Sequence, residues 1–117
     1  MKSQASAPTT PGRAPPRRRA RRRSAFPLTP EQVRARCAGL GLDSLCAGEV
    51  LALMELMELH GCCILGLHQR TGVARSMISG ILSLRKFPTT PLRLRLIRAL
   101  GVDAVEFEAL AVFCAEA

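Results

Sequence analysis

From Thr29 onward the apolar positions recur at helical spacing, and no stretch alternates in the manner of a strand. Thr29-Pro30-Glu31-Gln32 has the form of a helix start: Thr29 caps, Pro30 suits the first helical position, and Gln32 completes a capping box. That helix is expected to stop near Gly39 or Gly41. Asp43 or Ser44 is then expected to open a loop. Glu49 to His60 predicts the next helix, with Val50, Leu53, Met54 and Met57 on one face and Glu55 and Glu58 on the wet side. Ala52, Leu56 and Leu59 widen its apolar stripe beyond one face. Something must cover the surplus, either the first helix or a second subunit.

Gly61 ends that helix, and Cys63, a poor cap, precedes another from Ile64 to Thr71. Gly72 supplies the left-handed conformation of a sharp turn. A further helix is expected from Ala74 or Arg75 to Leu84, with Leu67, Val73, Ile78 and Ile81 locking the pair together. Pro88 stops the basic loop Arg85-Lys86-Phe87. Thr89 or Thr90 with Pro91 restarts a helix whose inner face is Leu92, Leu96, Ala99 and Leu100, with Arg95 and Arg98 outward. Gly101 ends it. Asp103 and Glu106 form a capping box for a last helix with Val105, Leu110 and Phe113 as its apolar positions. The expected fold is all-α: a compact bundle of five or six short helices.

Charge divides the chain in two. Residues 1–29 carry Lys2, Arg13, Arg17, Arg18, Arg19, Arg21, Arg22 and Arg23 and no acid, which accounts for the whole formal charge of +8. The remaining residues balance nine basic against nine acidic side chains. The tail is rich in Pro, Ala, Ser and Thr, with only Met1, Phe26 and Leu28 as large apolar residues. It is expected to be disordered, leaving residues 30–117 as the folded domain. Its Arg17–Arg23 run suits phosphate or minor-groove contact; a solubilising or targeting tail has the same composition.

No apolar core follows those arginines, so neither a secretory signal nor a membrane span is expected, and a cytoplasmic setting is. Five cysteines (Cys37, Cys46, Cys62, Cys63, Cys114) make an odd count that suits reduced thiols. Cys62, Cys63, His60 and His68 are close in sequence but match no common zinc spacing, so no metal and no cofactor is expected. No carboxylate pair, Ser/His/Asp set or phosphate-cradling loop suggests an enzyme, and no catalytic residue is assigned.

Within this frame, Leu67 to Ser79 reads as helix, tight turn at Gly72, and second helix with small or basic outward residues. With Gly61-Cys62-Cys63 before it and Pro88 and Leu100-Gly101-Val102 after it, the stretch over about 49–105 resembles the Cro/repressor-type, XRE-like helix-turn-helix proteins. Leu67, Gly72, Val73, Ile78 and Ile81 fall on that motif's framework positions. The chain departs from the family at His68, where Ala is preferred, and at Thr71, where an apolar residue is usual. It departs again at Ile64, which replaces a polar residue, and at Leu82 and Leu84, where Glu and Gly are common. Gly80 weakens the second helix by up to about 1 kcal/mol against Ala.

The resemblance implies a sequence-specific DNA-binding transcriptional regulator, a repressor, associated with the nucleoid. Arg75, Ser76 and Ser79 would contact bases, with Arg75 matching guanine and Gly80 leaving room for close approach. Arg70, Arg85 and Lys86 would hold phosphates, joined by Arg17, Arg18, Arg19, Arg21, Arg22 and Arg23. From Arg70 to Val102 there are seven basic residues and no acid, which polarises the body. The implied partner is double-stranded DNA; Leu56 and Leu59, or Leu110 and Phe113, either supply a homodimer interface or merely close the core. Two other readings remain open: an antitoxin-like module that docks a protein, and an RNA binder that uses the arginine arm.

Overall fold

Helix boundaries are set by capping groups the sequence places one after another. The computed structural model describes residues 26–116. Among them are six helices: α1 (Pro30–Gly39), α2 (Ser44–Leu59), α3 (Ile64–Thr71), α4 (Arg75–Leu82), α5 (Thr90–Ala99) and α6 (Ala104–Glu116). The architecture is all-α, as expected. Thr29 accepts from the Gln32 backbone N–H while the Gln32 side chain accepts from Thr29, which completes the capping box. Asp103 and Glu106 make the same reciprocal pair ahead of α6. Gly41, Gly61, Gly72 and Gly101 all take positive φ just beyond helix ends. Of the segment read as a disordered tail, residues 1–25 lie outside the described residues; Phe26 and Leu28 rest half-buried against the core.

Two boundaries differ from expectation, at the start of α2 and the end of α4. Asp43 does not open a loop. Its carboxylate accepts from the Leu45 backbone N–H at 3.0 Å and caps α2, which therefore begins five residues before Glu49. Cys63 does cap α3, its sulfur accepting from Gly66 N at 3.5 Å. α4 stops at Leu82, not Leu84. Leu84 has φ +62° and is buried to 3% exposure, so it takes a left-handed backbone with a full side chain in the core. That conformation costs about 1–2 kcal/mol outside glycine, and burial of the leucine offsets it.

α2 is the centre of the molecule. Ala47, Gly48, Val50, Leu51, Ala52, Leu53, Met54, Leu56 and Met57 are all buried, which leaves only Glu55, Glu58 and Leu59 exposed over its last two turns. Its surplus apolar face is covered chiefly by α6, which supplies Phe107, Ala111 and Cys114; α1 adds Val33 and Cys37. The last helix therefore points Phe107 inward, and Val105 and Phe113 are 78% and 70% exposed. Leu56 is buried within the chain and is not free for a second subunit, whereas Leu59 stays exposed. No single helix among the described residues is long and apolar enough to cross a membrane. α2 and α3 pass only as a pair, and they meet at a 91° bend.

Contact between α2 and α6 is close because Gly48 has no side chain. A Cβ there would collide with the Ala111 carbonyl oxygen and lie 2.9 Å from the Ala115 Cβ. Gly48→Ala gains up to about 1 kcal/mol of helix propensity but forces two backbones apart, at a cost of about 1–3 kcal/mol. A lower thermal unfolding midpoint is the expected result. A midpoint raised by the substitution would contradict the α2–α6 packing.

Candidate nucleic-acid interface

α4 is held by one face. Ile78, Ile81 and Leu82 are buried, and Met77 is half-buried. At 100° per residue, Arg75, Ser79 and Ser76 follow one another on the opposite arc, with buried Gly80 at its edge. Arg75 and Ser76 are exposed and Ser79 is half-buried. The three residues expected to contact bases thus share one outward face. Ala74 precedes the helix with no side-chain cap, so the first backbone N–H groups of α4 have no capping side chain.

The turn between α3 and α4 is pinned by the side chains of Thr71 and His68. Thr71 Oγ1 donates to the Leu67 carbonyl at 2.7 Å and accepts from Val73 N at 3.1 Å. His68 Nδ1 lies 2.7 Å from the Val73 carbonyl. A carbonyl only accepts, so Nδ1 carries the proton. Both backbone groups of buried Val73 are therefore satisfied, and Gly72 with φ +76° turns the chain between them. Sequence reasoning missed this clasp. Its signal was the hydroxyl at Thr71, four residues after Leu67 and two before Val73.

The loop after α4 folds back onto it. Arg85 N and Lys86 N both donate to the Gly80 carbonyl, at 2.8 and 3.1 Å. The Lys86 stem then lies across Gly80: a Cβ on that glycine would be 2.8 Å from Lys86 Cδ and 2.9 Å from Cγ. The space at Gly80 is thus filled by the chain's own lysine and is not left open for a ligand, contrary to expectation. The consequence is useful, since Lys86 is brought to the same arc as Ser76 and Ser79 with its ammonium in solvent.

Arg70 and Arg85 are exposed as well. Arg70 also leans on α5, its Nη1 donating to the Ala99 carbonyl at 3.4 Å. One member of the basic stretch is not free. Arg93 pairs with Glu49 of α2 at 2.9 Å, the one ion pair among the described residues. Arg95 and Arg98 remain exposed on α5. Arg17, Arg18, Arg19, Arg21, Arg22 and Arg23 lie outside the described residues.

The cysteines are free thiols, with Cys37, Cys62 and Cys114 buried, Cys46 half-buried and Cys63 exposed. Burial pushes the Cys46, Cys62 and Cys114 thiols up, which disfavours the reactive thiolate. Among the described residues no three His, Cys, Asp or Glu side chains converge as a metal site. No family model, no curated protein and no solved structure matches this chain.

Thr71→Val keeps the shape of the clasp and removes its hydroxyl, leaving the Val73 N–H unpaired. A loss of about 1–3 kcal/mol is expected in denaturant unfolding. Unchanged stability would mean that the clasp does not hold the turn.

Proposed function

We propose that this chain is a sequence-specific DNA-binding regulator that lays α4 in the major groove and represses by occupying its site. The observation that carries the reading is the outward arc of α4. Arg75, Ser76 and Ser79 stand there with no side-chain hydrogen bond among the described residues, while the opposite face is sunk in the core. A helix held this way by a preceding helix and a short turn is what groove entry requires. The surrounding α3–α5 stretch carries basic residues and no acid, so its field attracts a polyanion. The spacing of Gly72, Pro88 and Leu100-Gly101-Val102 resembles that of the Cro/repressor-type family, which supports the same reading.

In this account Arg75 reads a guanine through its two-pronged guanidinium, and Ser76 and Ser79 add less selective bonds. Arg85 and Lys86 hold phosphates on one side of α4, and Arg70 does so from the end of α3. The Arg17–Arg23 run adds contacts that are independent of sequence. One module of this size reads few base pairs, so two copies over a two-fold site are proposed. The surface for that pairing is the outer stripe of α6, where Val105, Ala109, Val112 and Phe113 share one exposed face. That stripe is also what favours the second reading, an antitoxin-like module with a protein partner seated on α6.

Selection of bound sites from random duplex DNA tests the function directly. The full chain is expected to enrich one motif, arranged as an inverted repeat if two copies bind together. Arg75→Ala should flatten the preference at one position by about 1–3 kcal/mol without loss of folding. Recovery of unenriched sequence by the unaltered chain would contradict the proposal, and an unaltered motif with Arg75→Ala would remove Arg75 as the reader.

Deletion of residues 1–25 should weaken binding to every sequence alike. If the six arginines of the run bind phosphates, the slope of log affinity against log salt should fall by roughly five. An unchanged slope would exclude the arm from the interface.

A further inference from the structure

Between α1, α2 and α6 lies a cleft of about 250 Å³. No residue of α3, α4 or α5 lines it, so it is separate from the outward arc of α4. Leu42, Ala47 and Leu51 give it apolar walls, and their side chains offer nothing to hold water. Ser44 adds a hydroxyl and Cys114 a thiol. Burial pushes the Cys114 thiol up, so it stays neutral. Arg34 is then the only charged side chain in the lining. Its Nη2 donates to the Cys114 carbonyl at 3.4 Å, which draws the guanidinium from α1 towards α6. One such bond leaves most of its N–H donors unused. The one ion pair among the described residues is Arg93 with Glu49, so no carboxylate there neutralises Arg34.

We infer that this cleft is a small-molecule site for an amphipathic monocarboxylate, its hydrocarbon chain seated against Leu42, Ala47 and Leu51 and its carboxylate on Arg34. Size and charge select that class. An apolar cavity of about 150 Å³ holds a benzene ring; by proportion, 250 Å³ holds roughly ten non-hydrogen atoms. A carboxylate with an eight-carbon chain has that many. One guanidinium matches one carboxylate through two parallel bonds, whereas a dianion would bring a second charge with no partner in the lining. The apolar walls then exclude a wholly polar acid, which would gain nothing from them. This site is independent of the DNA reading, since none of its residues belongs to the proposed interface.

The test is titration of the full chain with octanoate, 1-octanol and octylammonium, which share a tail and differ in charge. Octanoate is expected to bind saturably and about 3- to 10-fold more tightly than 1-octanol, the gain of a partly exposed charge pair. Octylammonium should bind most weakly. Side-chain methyl shifts should change at Leu42, Ala47 and Leu51. Arg34→Gln should bring octanoate down to the affinity of 1-octanol and leave 1-octanol itself unchanged, with a far-ultraviolet melting curve to verify folding. Absence of saturable octanoate binding, equal affinity of the unaltered chain for octanoate and 1-octanol, or undiminished octanoate binding by Arg34→Gln would overturn the inference. So would methyl changes centred on the exposed Val105 and Val112 of α6, which would mark loose adsorption to that surface. None of these results touches the DNA reading, which is decided by the selection of bound sites.

Discussion

α2 buries residues around most of its circumference and must therefore be covered on several sides at once. This constraint organises the rest of the chain. α6 closes against it through Gly48, where two backbones touch, and α1 adds Val33 and Cys37. α4 reaches the same core with Ile78, Ile81 and Leu82. Because the buried face of α4 is committed to α2 and α3, its other face has nowhere to go but outward. The arrangement of Arg75, Ser76 and Ser79 follows from core packing and needs no ligand to produce it.

Two small devices set how that face is presented. The Thr71 and His68 bonds to Val73 fix the turn, so α4 leaves α3 in one direction. The Gly80 carbonyl gathers the Arg85 and Lys86 backbones, and the absence of a side chain at Gly80 lets the Lys86 stem lie flat against α4. Both devices place charge and hydrogen-bonding groups on rigid supports, which would lower the ordering cost of the proposed binding. They also account for sequence features that otherwise look unfavourable: a glycine inside a short helix, a hydroxyl where an apolar residue would serve, and a leucine with positive φ.

Much of this was legible in the sequence because capping and turn chemistry is local. Thr29 with Gln32, Asp103 with Glu106, and the glycines at 61, 72 and 101 mark helix ends using neighbours only a few residues away. The start of α2 was misread because Asp43 and Ser44 suit a loop and a cap equally well, and the difference lies in whether Ala47, Gly48 and Val50 find a core. The inward face of α6 was misread for a related reason. Val105, Phe107, Leu110 and Phe113 are all apolar, so periodicity does not choose between faces; the Gly48 contact does. The pairing of Arg93 with Glu49, 44 residues apart, and the Lys86 stem on Gly80 are tertiary facts that no spacing rule contains.

We propose that DNA meets the exposed arc of α4 and the loop that folds onto it. Backbone amide shifts of the full chain, followed while duplex DNA is added, test this most directly. The account predicts that the largest changes fall on Arg75, Ser76, Ser79, Arg85 and Lys86, with the buried residues of α2 and α6 little affected. Changes confined to α1 or α6, with α4 and its loop unmoved in a complex that forms, would contradict it.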